Sequence, residues 1–192
     1  MRSAYDLPIA SLYDLCELRA GRHVLRDEDG WRSAELWLES TWLAVVRPSF
    51  HPPALVACAQ ASEWTENGDL ESVWRKAAFA VVDRADAVVD PRAVAEAAIA
   101  PVDADPIRDA VSRIEFMTST AHMSVDGIRY EFESDTLGCA ARIDFASPVR
   151  KDLVNLERGL FDTASLVAAE AESPKLDSYL EAWAGYMEAR AS

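Results

Sequence analysis

With 192 residues, 50% of them hydrophobic and 27% charged, the chain is long enough to bury a core without disulfides or metals, and its composition is not that of a disordered protein. Thirty-three Asp and Glu against nineteen Lys and Arg leave a formal charge of -14 and a sequence pI near 4.6. That balance speaks against nucleic acid and anionic membrane surfaces as direct partners, because affinity for either comes from Lys and Arg.

The acid is spread evenly: sixteen acids and ten bases fall in residues 1–100, seventeen and nine in 101–192, so neither half is a separable acidic tail. Cys16, Cys58 and Cys139 are odd in number, far apart and flanked by apolar residues, the pattern of reduced thiols in a cytoplasm. Acids interrupt the N-terminal stretch, and no run of 18 apolar residues occurs, so neither a signal peptide nor a membrane span is expected. Arginine outnumbers lysine sixteen to three, a bias that a GC-rich bacterial genome produces.

In chain order, Ser11 can cap a first helix with Ile9, Leu12, Leu15 and Cys16 on one face and Gly21 at its end. His23–Arg26 reads as a strand leading into the turn Asp27-Glu28-Asp29-Gly30, after which Trp31–Glu39 alternates apolar and polar. Thr41–Arg47, stopped by Pro48, and Ala54–Gln60 add two more strands in a meander. From Asp69 the spacing of Leu70, Val73, Trp74, Ala77 and Val81 predicts a helix. Asp90-Pro91 then opens a second, Ala-rich helix.

The second half repeats that order. Asp105-Pro106 opens a short helix or turn, and Arg113–Met123 is expected as a strand for its Thr and β-branched content. Ile128, Tyr130 and Phe132 alternate with Arg129, Glu131 and Glu133, and Cys139–Phe145 alternates in turn, so that Arg142 can face Glu131 or Glu133. Ser147-Pro148 caps a long helix with Val149, Leu153, Leu156, Leu160, Ala164 and Val167 inward. Ser173-Pro174 caps the last, with Leu176, Leu180, Trp183 and Met187 inward. The expected fold is α+β: antiparallel β meanders packed against amphipathic helices, in one domain over 1–192. The order allows two similar β-then-αα halves, 1–100 and 101–192, though two ordinary meanders would resemble one another as well.

No catalytic or cofactor pattern stands out. His23, His51 and His122 have no ligand spacing between them, there is no Cys-x-x-Cys, and the seven glycines form no phosphate loop, so no metal and no nucleotide cofactor is expected. His51 and Cys58 could form a base and a nucleophile, but Cys58 between Ala57 and Ala59 reads as a small packed hydrophobe. Glu131 and Glu133 are better explained as a solvated face paired with Arg142 than as an acid and base pair.

The tryptophans carry more information. Trp31, Trp37 and Trp42 fall within twelve residues, and Trp37 shares its side of the strand with Glu35 and Glu39 while Leu36 and Leu38 take the other. If the leucines face the core, Trp37 stands outward between two acids, suited to an Arg or Lys by cation-π and charge contacts; if helices cover both faces, it is core. The residues proposed for partner binding are Glu35, Trp37, Glu39 and Trp42. The expected function is a noncatalytic, acidic module that neutralises or chaperones a basic protein partner, similar in general character to bacterial toxin-immunity proteins and, less closely, to secretion chaperones. The alternative is a small-molecule binder or enzyme with a pocket between sheet and C-terminal helix, lined by Tyr130, Phe132, Phe145 and Trp183. Oligomeric state is not legible in the sequence.

Overall fold

The computed structural model describes residues 21–27, 30–82, 94–105, 107–114, 127–136 and 139–191. They form seven strands, β1 (Gly21–Asp27), β2 (Gly30–Pro48), β3 (Ala54–Trp64), β4 (Leu70–Val82), β5 (Val94–Pro101), β6 (Ile128–Thr136) and β7 (Cys139–Ala146). Three helices accompany them: α1 (Arg108–Ser112), α2 (Lys151–Ala171) and α3 (Pro174–Ala191). All pairings are antiparallel, in the order β5-β4-β3-β2-β6-β7, with β1 paired to the first part of β2. The α+β architecture is the one expected.

Several local expectations hold because their signals are local. β1 and β2 meet around the acidic turn, with Asp27 opposite Gly30, and Gly30 adopts φ +128, a conformation that favours glycine. Glu133 stands opposite Arg142 and pairs with it at 3.1 Å. Leu153, Leu156, Leu160, Ala164 and Val167 of α2 are buried, as are Leu176, Leu180 and Trp183 of α3, and Ser173 Oγ accepts from the Leu176 amide.

Others are corrected. The stretch from Asp69 is not a helix but β4, and the Ala-rich stretch expected as a second helix supplies β5 instead, while residues 83–93 lie outside the described residues. Both strands are lined with alanine because α2 packs against them, and small side chains such as Ala77, Ala100, Ala164 and Ala168 let helix and sheet approach; that tertiary demand overrides alanine's helical preference. Among the described residues the first half therefore runs strand after strand, and strands followed by two helices occur in the second half alone. Arg113 and Ile114 close α1 rather than begin a strand; the rest of that expected strand, like the expected first helix before Gly21, lies outside the described residues. Ser147-Pro148 does not cap α2: Arg150 holds the cap position, Ser147 takes φ 39, and Val149 is 74% exposed instead of inward.

The core has two sides. On the helix side, Trp42, Val56, Phe79, Tyr130, Phe132 and Phe145 meet Leu156, Leu160 and Trp183. On the other, the interleaved residues Leu43, Val45, Leu55, Ala57, Ala59, Ala78, Ala80 and Val82 form a second buried cluster. Ala34, Leu36 and Ala61 extend that side toward the β1–β2 arm, joined by Leu25, Leu38 and Trp74.

Candidate docking face

β2 is long enough to pass through two environments, and a bulge separates them. Leu38 pairs with Ala61 and Ser40 with Gln60, so Glu39 is the extra residue. A matching bulge lies in β4, where Ala61 pairs with Trp74 but Ser62 with Ser72, making Val73 the extra residue. Each inserted residue shifts the side-chain alternation by one. Before the bulge Leu36 is buried, while Glu35 is exposed and Trp37 is 54% exposed. After it, Trp42, Ala44 and Val46 take up the face of Trp37, now beneath other parts of the chain.

The four residues singled out from the sequence are thus only partly brought together. Glu35, Trp37 and Glu39 lie along one outward stretch, with Glu39 half-buried and accepting a hydrogen bond from Gln60 Nε2. Trp42 is buried and donates from Nε1 to Asp105 Oδ1 at 3.0 Å, which ties the loop before α1 to the sheet. It is a packing residue and no part of an exposed face.

Two further tryptophans stand out. Trp31, 73% exposed, shares its side of β2 with Glu35 and Trp37 by alternation. Trp64, 59% exposed, sits two residues beyond Ser62, which stands directly opposite Trp37, so Trp64 and Trp37 occupy the same sheet face around Ser62. The signal for Trp64 was present in the sequence, as an aromatic two residues from a serine and just before a Gly-containing turn. Without the β2–β3 register nothing connected it to Trp37.

The polar groups around these rings are mostly acidic. Glu35, Glu66 and Asp69 are exposed, and Glu39 is half-buried. Arg22 stands opposite Glu35 on β1, and Arg75, opposite Gln60 on β4, is held by Gln60 Oε1 and by the Asp103 carbonyl at 2.5 Å. Ser62 is fully buried at the centre of this face, and its Oγ has no hydrogen-bond partner.

The other candidate residues are placed elsewhere. Cys58 lies mid-strand between Trp42 and Ala77, and burial, reinforced by the charge of Asp105 and opposed by Arg75, pushes its thiol up to about 12, so it stays protonated and unreactive. His51 is in an exposed loop with its ring edge-on to Tyr186, 5.9 Å away; His122 lies outside the described residues. Tyr130, Phe132, Phe145 and Trp183 are packed on one another: Tyr130 stacks on Phe145 at 4.7 Å, and Trp183 Nε1 donates to the Tyr130 hydroxyl at 2.9 Å. That hydroxyl donates to Glu157 Oε1 at 2.6 Å, and Arg190 closes the network by pairing with both oxygens of Glu157. Burial and the adjacent Glu157 charge raise the Tyr130 hydroxyl well above its ordinary range.

Among the described residues, no group of three His, Cys, Asp or Glu side chains could hold a metal ion, and no helix is long and apolar enough to cross a membrane. Comparison with known proteins finds no family, no curated protein and no solved structure that matches this chain.

Proposed function

We propose that this chain is an acidic, noncatalytic binding protein that docks a basic protein partner and neutralises or chaperones it. The observation that carries the reading is the exposure of Trp37 and Trp64 on one sheet face, beside Glu35 and Glu39. Large aromatics left in water on a folded chain are the residues that anchor protein interfaces, and surrounding acids steer a cationic surface toward them. The charge of -14 extends that steering over the whole molecule. Trp42 drops out of the proposed surface, and Glu35, Trp37 and Glu39 remain. The setting we propose is the bacterial cytoplasm, where unpaired cysteines stay reduced.

Recovery of copurifying proteins from the native cell at low salt tests this directly. The expected result is a basic protein whose binding weakens as ionic strength rises, and the double variant Glu35→Ala with Trp37→Ala loses it at an unchanged melting temperature. Binding that ignores both salt and the double variant overturns the proposal.

A further inference from the structure

The face around Trp37 has one feature that docking by charge alone does not require. Ser62 is fully buried, yet its hydroxyl makes no hydrogen bond, which leaves a polar group taken from water without compensation. It lies directly opposite Trp37 on the neighbouring strand, about 5 Å away between Cβ atoms, and about 7 Å along its own strand from Trp64. Two exposed indoles thus flank a hydroxyl that lacks a partner, with Glu35 and Glu39 on the same stretch of β2.

Building on the docking reading above, we propose that Trp37, Ser62 and Trp64 form the seat for a guanidinium group, so that the basic partner engages this face through an arginine. A guanidinium is flat and stacks on indole, and its five N–H groups can serve a carboxylate and a hydroxyl oxygen at once. A lysine ammonium is compact and strongly hydrated, and cannot stack between two rings while reaching both acceptors. The charge is acidic on balance: Glu35 and Glu39 lie on the same stretch of β2 and Glu66 and Asp69 in the turn after Trp64, against Arg22 opposite Glu35 and Arg75, which is engaged by Gln60 and the Asp103 carbonyl.

The test uses the full chain with an eight-residue arginine peptide and the matching lysine peptide, measured by calorimetry at low and at moderate salt. The arginine peptide binds about tenfold more tightly than the lysine peptide, and Trp37→Ala or Trp64→Ala each weakens it about tenfold without shifting the melting temperature. Ser62→Ala separates a seat from a packing role: it weakens the arginine peptide several-fold, yet raises the melting temperature by about 2 °C because an uncompensated buried hydroxyl is gone. Equal binding of the two peptides, unaffected by the tryptophan variants, overturns the seat while leaving docking by charge intact. Failure of both peptides to bind at low salt overturns both readings, and a lysine peptide that binds while the arginine peptide does not overturns the seat alone. A Ser62→Ala protein that melts earlier and binds as before also overturns the seat.

Discussion

Strands β2, β3 and β4 each run through two regions, one buried on both faces and one with a face in water, and the same chain solves each differently. In the first, Leu43–Val46, Ala54–Ala59 and Ala77–Val82 are buried without interruption: α2 and α3 lie on one side, and the residues facing the other form the second buried cluster. In the second, beyond the bulges at Glu39 and Val73, burial alternates along β2, no residue of β4 from Leu70 to Lys76 is fully buried, and Trp31, Trp37 and Trp64 are left outside. Trp37 and Trp42 make the contrast sharp: five residues apart, on the same face of one strand, one is exposed and the other is buried and bonded to Asp105. A tryptophan's role here follows from what lies above it, not from the strand it sits on.

Stability should therefore reside in the covered region and binding in the open one, and substitutions can break that division. The largest loss is expected for Trp183→Ala, which empties a fully buried site and removes the donor to Tyr130: about 3–5 kcal/mol in urea unfolding. A loss under 1 kcal/mol would mean that the covered region is not the load-carrying one. Glu157→Ala leaves the Tyr130 hydroxyl and Arg190 without their common acceptor and should cost about 3 kcal/mol, much of it from the stranded partners.

Alkaline pH should act on the same region. The Cys58 thiol and the Tyr130 and Tyr179 hydroxyls all have folded pKa values raised chiefly by burial. The unfolded chain ionises first, so the stability these groups contribute is fully present below pH 9 and is lost as pH rises; for Cys58 the window runs from 9.0 to about 12. Each such group adds a slope of about 1.4 kcal/mol per pH unit, and Cys58→Ala should make the decline between pH 9 and 11 shallower by about that amount. A midpoint that holds steady over this range would contradict it.

Smaller effects mark the boundary. Trp42→Phe keeps most of the ring but removes the hydrogen bond to Asp105, for a loss of about 1 kcal/mol with partner binding intact. Smallest of all, Trp37→Ala should leave unfolding within about 0.5 kcal/mol of the parent protein while weakening docking. If it destabilises the fold by more than about 2 kcal/mol, Trp37 belongs to the core and the division between the two regions fails.

Much of the fold was legible because its signals are short-range. The acidic turn into Gly30, the alternation of β6, the heptad-like face of α2 and the Ser173-Pro174 start of α3 each lie within one turn or one strand, where backbone sterics and the side-chain period decide the outcome. That Trp37 points away from Leu36 is also a local rule, but whether that side is covered, as it is over Trp42, or left open was not legible in the sequence. Charge is fixed by composition, and with it the expectation of a cationic partner.

Tertiary structure decided what local rules could not. Residues 70–82 read as a helix because the bulge at Val73 broke the strand period and the run Ala77–Val82, buried on both faces, has no period at all. Alanine, indifferent in isolation or helix-favouring, became a strand residue once α2 needed a close approach. The pairing of Trp37 with Ser62 and Trp64 depends on a register across two strands, and the burial of Trp42 on a loop more than sixty residues away. Those contacts are long-range, and no spacing along the chain encodes them.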